Sequence, residues 1–500
     1  MAKRSLNRRE FLKISALSSG ALALGGCASL DRLFTGDQRN LENEVLILGA
    51  GAAGLAAAYT LKKNKIPFRV FEGSSRIGGR VHTVQMFSDE GPVAELGAEF
   101  FEDTHRTIFA LAKEFNLATK EIKTAPGFEP QMFYFNGRTY RVKDFLPKMK
   151  TLSATLRRVR ADLFRDQDVI LTYRNALQYE RSSYYDSLSL KDLLDSWSTE
   201  VDPLVLDLIA SQAVARFGVD ASEQSALHFL STLDAEGSTL LTGRGTYRLE
   251  GGLTNLMQVM SARAAGVIPE HILKMNHVLT EISEEKGVFE LTFKTPKGKE
   301  IYQTKNVICT LPFTKLREVH GINKLNFSEI KQQAIASQSY ATHSKGVLSF
   351  ASPFWRKQQG KVPANLGNFS GDFLTQKMWD SGRAQPGDQG LLTISRAGTS
   401  GRDAGFAAAT EAMRDLGHFY ESVPAKLQGD QMINWSQRPF AMGSMAYFKK
   451  GQYTRFRGAA VEPEYAGHFL FAGEHASLRF AGTLNGALES GIHAASSISV

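Results

Sequence analysis

Three glycines and an acid at fixed spacing carry the first chemistry in this chain of 500 residues. Gly49, Gly51 and Gly54 form GxGxxG directly after an apolar run, and Glu72 follows 23 residues after Gly49. Gly49 permits a tight turn, Gly51 lets the backbone approach a pyrophosphate, and Gly54 allows the next helix to pack closely. That helix, entered through Ala53, points free N–H groups and its positive dipole end at phosphate. An acid at the position of Glu72 accepts hydrogen bonds from ribose hydroxyls and repels a 2′-phosphate. Together these groups suit the adenosine and pyrophosphate of a dinucleotide. Arg76, Gly78, Gly79 and Arg80 come next, two cations and two adjacent glycines placed for a second phosphate contact.

The elements that position these groups read as one βαβ unit. Residues 45–48 are apolar without interruption, as a parallel strand covered on both faces must be. A helix runs through Leu55, Ala58 and Leu61, and a second strand over 68–71 delivers Glu72. Residues 104–265 read as mainly helical, with apolar spacing at Ile108, Leu111 and Phe115 and again at Leu190, Leu193 and Leu194. Strands are expected at 278–282, 288–293 and 301–311, with turns at 284–287 and 296–299. Lys345 sits in a strand-like run over 344–350 that ends at Pro353, Phe354 and Trp355. A lysine alone in such a run ordinarily belongs to a solvated face. Residues 469–471 read as a strand before Gly473 and Glu474, and a helix opens near Gly482 and runs to about Ser497.

The N-terminus has a different character. Asn7, Arg8, Arg9, Glu10, Phe11, Leu12 and Lys13 match the twin-arginine export pattern, and an apolar run covers 14–24. Such a run is too short for a bilayer, which takes about 20 residues, so it reads as a signal peptide. Leu24, Gly25, Gly26 and Cys27 resemble a lipoprotein processing site with Cys27 as the lipidated end; a plain signal peptide cleaved nearby is the alternative. Residues 1–27 are thus assigned to the signal and 28–42 to a polar tether. The expected location is periplasmic or cell-surface, reached through the twin-arginine translocase and held at the membrane if Cys27 is lipidated. Loss of residues 1–26 removes five basic groups and one acid, so the formal charge falls from +8 to +4. That gives no case for nucleic acid. Arg157, Arg158, Arg160 and Arg165 share one segment, either a solvated helix face or a patch for an acidic membrane surface. Cys309 reads as a small buried hydrophobe, and no metal site is expected.

The glycine turn, Glu72 and the R-x-G-G-R run from Arg76 to Arg80 resemble the flavin-containing amine oxidase family of monoamine and polyamine oxidases. Ala472, Gly473 and Glu474, followed by G-x-x-x-G-A-x-x-S-G from Gly482 to Gly491, resemble that family's C-terminal signature. The resemblance spans 43–500. It implies an α/β plus α+β fold, in which a Rossmann-like FAD-binding domain (43–101, 245–320, 455–500) is interleaved with a substrate or cap domain (102–244, 321–454). It places non-covalent FAD against Gly49, Gly51, Ala53, Gly54, Glu72, Arg76, Gly79, Arg80, Gly97, Ala98, Glu99, Leu279, Trp435, Gly473, Glu474, Thr483 and Leu484. Leu279 lies where the family's strand holds adenine, and the helix after Thr483 would stabilise negative charge at flavin N1 and O2. Lys345 takes the place of a lysine that reaches through a water toward N5 and influences reoxidation.

Departures from the pattern narrow the reading. Ser444 and Met445 replace a flavin-linked cysteine and an adjacent tyrosine, and Thr483 replaces a second cage tyrosine. Phe100, Tyr447 and Phe480 are candidates for either cavity wall or core. Phe100 also stands where amino-acid oxidases carry an arginine for the substrate carboxylate. Glu102 matches an acid of polyamine oxidases that would favour a second ammonium; its other reading is a helix-start acid. The activity implied is an exported amine oxidase that passes a hydride from the amine α-carbon to flavin N5, giving imine, then aldehyde. Oxygen or another acceptor reoxidises the flavin, with peroxide if oxygen. A polyamine or other primary amine is the favoured partner. An L-amino-acid oxidase, an isoprenoid or carotenoid-type desaturase and a low-turnover flavoprotein with a binding role are the alternatives. Twin-arginine export carries folded proteins, which suits a chain that takes up FAD before leaving the cytoplasm.

Overall fold

Residues 45–48 and 306–309 are buried at every position, and a five-stranded parallel sheet is built on them. A computed structural model describes residues 37–87, 91–164, 169–233, 239–242, 246–266, 269–405, 407–423 and 425–499. The signal peptide, the lipoprotein site, Arg165 and most of the tether lie outside them.

The sheet order is Leu273–Lys274, Phe68–Phe71, Val45–Leu48, Asn306–Cys309 and Phe469–Phe471, every pairing parallel. One face is covered by the helices Ala52–Lys63, Leu253–Ala265 and Leu484–Ser497. Small residues let these helices close on one another. A Cβ on Gly491 would stand 2.2 Å from the Ala53 carbonyl oxygen. The other face meets a four-stranded sheet, in which Phe71 stacks on Phe293 with centroids 4.4 Å apart. Such a pair contributes about 0.5–1.5 kcal/mol beyond its buried area.

That second sheet corrects two expectations. Asp37–Asn40 is not tether: it pairs in parallel with Gly298–Thr304, and the Leu41 N–H extends the ladder to the Gln303 carbonyl at 2.8 Å. The run read as one strand over 301–311 is two. Gly298–Thr304 belongs to the four-stranded sheet and Asn306–Cys309 to the parallel one. The Thr304 hydroxyl bonds the Glu44 carbonyl at the crossing.

The remaining chain forms a seven-stranded sheet in the order Leu427–Asn434, Ser344–Phe350, Gly390–Arg396, Lys377–Asp380, Phe369–Gly371, Met132–Phe135 and Arg138–Arg141. Helices including Met149–Phe164 and Pro203–Phe217 bury an apolar core beside it. The reading of 104–265 as mainly helical therefore missed Thr119–Glu121, Met132–Phe135, Arg138–Arg141 and Thr246–Leu249. Met132–Phe135 has Phe369–Gly371 as its parallel partner, far away in sequence and invisible to local periodicity. Ser344–Phe350 lies inside this sheet with every residue buried, so Lys345 is not on a solvated face. The chain crosses between the two bodies several times. Residues 102–121 pack on the nucleotide side, where the Ile108 N–H bonds Asn485 Oδ1.

Candidate active site

A cavity of about 1500 Å³ runs from the glycine turn to the seven-stranded sheet. Pockets for drug-sized ligands occupy about 300–1000 Å³, so this one has room for a dinucleotide and a substrate together. Its wall includes Gly49, Gly51, Ala53, Glu72, Arg76, Gly79, Arg80, Gly97, Ala98, Phe100, Leu279, Lys345, Trp435, Gly473, Glu474, Thr483 and Leu484.

At the nucleotide end, Gly49 adopts φ +104°, where a side chain would be strained. A Cβ on Gly54 would stand 1.9 Å from the Gly49 carbonyl oxygen. Gly54 is therefore absent from the wall but sets the turn that forms it. The helix Ala52–Lys63 begins at Gly51 with no side-chain cap, leaving first-turn N–H groups for an anion. The second glycine turn closes on the first through a Gly51–Gly78 bridge, and a Cβ on Gly79 would stand 3.2 Å from Gly51 Cα. Glu72 is buried and accepts the N–H of Ala50 and of Ser74, each at 2.8 Å, so it braces the turn while lining the cavity.

Two assignments at the phosphate end change meaning. Arg76 donates to the carbonyls of Ile77 and Val81 and, more closely, to Gly79, so its guanidinium staples its own loop. Glu474 accepts from Arg80 at 2.8 Å and from the N–H groups of Ala446 and Gly482. A carboxylate repels phosphate, and this one is spent on orienting Arg80. Arg80 also donates to the Ser444 carbonyl at 2.6 Å.

At the sheet end, Lys345 Nζ donates to the Gly97 carbonyl at 3.0 Å and to Glu99 Oε2 at 2.7 Å. Trp379 Nε1 donates to the same carboxylate oxygen at 3.0 Å. Glu99 is buried beneath the wall rather than in it, and its Oε1 has no partner among the described residues. Glu99 is thus the counter-ion of Lys345 and sits behind the wall that Gly97 and Ala98 form. Nearby, burial raises the Glu95 carboxyl to about 7 against the N–H of Leu253 and the Thr83 hydroxyl, which favour its charge. Trp435 donates to the Leu96 carbonyl at 2.9 Å. His343 lines the cavity with Nε2 on the Ala215 carbonyl, which fixes the proton there and leaves Nδ1 to accept from Ser444. Burial keeps it neutral by lowering its pKa.

Tyr447, Glu102 and Phe480 are not in the wall. Tyr447 is a core residue whose hydroxyl donates to Glu223 at 3.2 Å. Glu102 pairs with Thr246 in a short strand, and its N–H donates to His105 Nδ1 at 3.2 Å. Phe480 packs edge-on against His105. Trp379, His343, Ser395 and Lys377, which do line the cavity, were missed. For Ser395 and Lys377 the only signal is register with Lys345 across neighbouring strands, which requires the fold.

These features fit FAD. Two glycine turns too close for side chains, an uncapped helix start and a buried acid serve its adenosine pyrophosphate. The cavity continues from them to Lys345. Among the described residues no cysteine lines the wall, so nothing there forms a thioether to the flavin.

Known proteins agree with this architecture. The model of the family described as flavin containing amine oxidoreductase matches residues 52–499. The chain is 26% identical to the flavin-dependent L-tryptophan oxidase of Lentzea aerocolonigenes, over 91% of this chain and 98% of that one. It is 24% identical to flavin-containing amine oxidase B of Canis lupus familiaris, over 91% and 86%. Putrescine oxidase bound to putrescine superposes with a TM-score of 0.74 at 18% identity, covering 92% of this chain and 99% of that one. Cyclohexylamine oxidase from Brevibacterium oxydans gives 0.74 at 20%, covering 91% and 98%. With its glycine turns, buried acid and cavity in place, the chain belongs to the flavin-containing amine oxidoreductase family and is an FAD-dependent oxidoreductase acting on amines.

Proposed function

We propose that the protein oxidises the carbon beside a neutral primary amine, with Lys345 as the protein group at the reacting end of the cavity. FAD supplies the two-electron acceptor for the hydride that leaves that carbon. Loss of the N–H proton completes an imine, water converts it to aldehyde and ammonia, and oxygen takes two electrons and two protons to become peroxide.

The observation that carries this reading is the state of Lys345. An ammonium has three donors. Two are held by Gly97 and Glu99, which leaves one for a water or substrate in the cavity. Glu99 and Trp379 fix the ammonium in place, so the donor does not reorganise during reaction. The uncapped helix start at Gly51, with Arg80 and Glu72, would hold the adenosine pyrophosphate, and Trp435, Ala98 and Thr483 would enclose the ring.

Substrate choice is a separate matter. The polyamine preference expected from Glu102 loses its basis, because Glu102 is outside the wall. Mixing yellow holoenzyme without oxygen with putrescine, spermidine, tyramine and amino acids tests the activity. Bleaching by any amine supports the reading; a flavin that none of them bleaches sinks it. Export through the twin-arginine pathway, with Cys27 as a lipid anchor, is the remaining part of the proposal, and the motif at Arg8 and Arg9 supports it. Changing both arginines to lysine should retain the protein in the cytoplasm, and unaltered fractionation refutes this.

A further inference from the structure

The sheet end of the cavity carries a cation that amine oxidation does not require. Lys377 lines it from the strand Lys377–Asp380. Lys345 is paired with Ser395, and Ser395 with Lys377, so the three form one row across neighbouring strands. Directly opposed residues project from the same face of a sheet, and all three line the cavity. Strands lie about 4.8 Å apart, which separates the two lysine backbones by roughly 10 Å.

The two lysines differ in their surroundings. Lys345 has Glu99 at 2.7 Å. Lys377 Nζ has no hydrogen bond or ion pair among the described residues, and the charge felt nearest is the cation of Arg216. Burial first, then Arg216, lowers its pKa. An anion entering the cavity would offset both. The buried carboxylates around this end are already engaged, Glu99 by Lys345 and Asp380 by Arg356 at 2.7 Å, while Glu121 lies at the exposed rim, 3.7 Å from Lys123. A second ammonium group at this depth would therefore find no free acid among these and would meet an unpaired cation. The Ser395 hydroxyl, also without a bond among the described residues, adds a donor between the lysines.

We propose that Lys377 anchors a carboxylate on the substrate, so that the amine oxidised is an amino carboxylate rather than a diamine or polyamine. The substrate part of this inference rests on the amine-oxidation reading; the subsite does not. An α-amino acid and an ω-amino acid share the required chemistry.

The test uses yellow holoenzyme in two measurements. Titration with butyrate and with benzoate, which carry no oxidisable amine, should give a saturable change in the flavin spectrum. Lys377→Met should weaken that binding at least tenfold, and Lys377→Arg should retain it. Anaerobic reduction is then compared within two pairs, 4-aminobutyrate against putrescine and L-phenylalanine against phenethylamine. The carboxylate-bearing member of at least one pair should half-saturate at a concentration at least tenfold lower. The first pair reports an ω-amino acid and the second an α-amino acid. Absence of any carboxylate binding, binding unchanged in Lys377→Met, or preference for putrescine and phenethylamine overturns the proposal. Carboxylate binding lost in Lys377→Met, with no amine bleaching the flavin, supports the subsite and removes amine oxidation instead.

Discussion

Removing half of the Lys345–Glu99 pair should cost more stability than its share of removing both. The ammonium and carboxylate are 2.7 Å apart, with side chains 10% and 3% exposed. At an effective dielectric of about 20 their attraction is about 6 kcal/mol. Taking away one partner of such a buried pair costs about 3–5 kcal/mol, because the other charge is left without solvent or counter-ion. Glu99 is especially exposed to this loss, since among the described residues its Oε1 already has no partner and Trp379 would be its only remaining donor. Lys345→Met should therefore destabilise by about 4 kcal/mol. Lys345→Met with Glu99→Gln removes both charges and should cost only the hydrogen bonds, about 1–2 kcal/mol. Unfolding entropy near 2.1 cal/mol/K per residue gives a chain of this length about 1 kcal/mol/K, so the single variant should melt about 4 °C lower. Thermal unfolding followed by circular dichroism and flavin fluorescence, on holoenzyme at matched FAD, measures the cycle. Single-variant losses that simply add in the double variant would refute a coupled buried pair. The same Lys345→Met protein should reoxidise at least tenfold more slowly in oxygen with FAD still bound, and an unchanged rate takes Lys345 out of the chemistry.

Gly54→Ala should abolish the yellow colour, since its Cβ would stand 1.9 Å from the Gly49 carbonyl, whereas Gly405→Ala, with nothing within 4 Å of its Cβ and no place in the cavity wall, should keep it. Equal FAD content in the two would contradict the packing argument. The Glu95 carboxyl is raised from 4.5 to about 7, chiefly by burial. The folded state thus binds more protons than the unfolded one between those values, and stability contributed by the protonated form is present below pH 4.5 and lost as pH rises through 7. The shift is worth about 3 kcal/mol as an order of magnitude, and Glu95→Gln should flatten the stability profile over that range. A profile identical to that of the parent would count against it. Tyr447→Phe should change KM by less than twofold because the residue is outside the cavity; a tenfold rise would return it to the substrate wall.

Much of the nucleotide end was legible because its constraints are local. Glycines at a turn, an apolar strand and an acid at its end are fixed by backbone geometry within one βαβ unit. The C-terminal helix was readable for the same reason. The sheet end was not. Lys345 looks like a surface residue until Gly390–Arg396 and Leu427–Asn434 flank its strand. Glu99 was noticed for its place beside Gly97, but its role depends on a lysine 246 residues away. The resemblance puts Tyr447 and Glu102 near the substrate, but Tyr447 packs into the core with its hydroxyl on Glu223 and Glu102 pairs with Thr246, so neither is in the wall. Lys377 carries no motif at all. Only pairing across three strands puts it on the face that Lys345 shares.

Arg80 bonds the Ser444 carbonyl, 364 residues later, and Glu474, 394 residues later. The wall is thus sealed by residues 444 and 474, far along the chain from the first glycine turn. A ribosome must deliver both before the pocket can close, so the first glycine turn waits for them before it can hold the prosthetic group. Early termination anywhere before residue 474 should yield colourless protein however well the first glycine turn has formed.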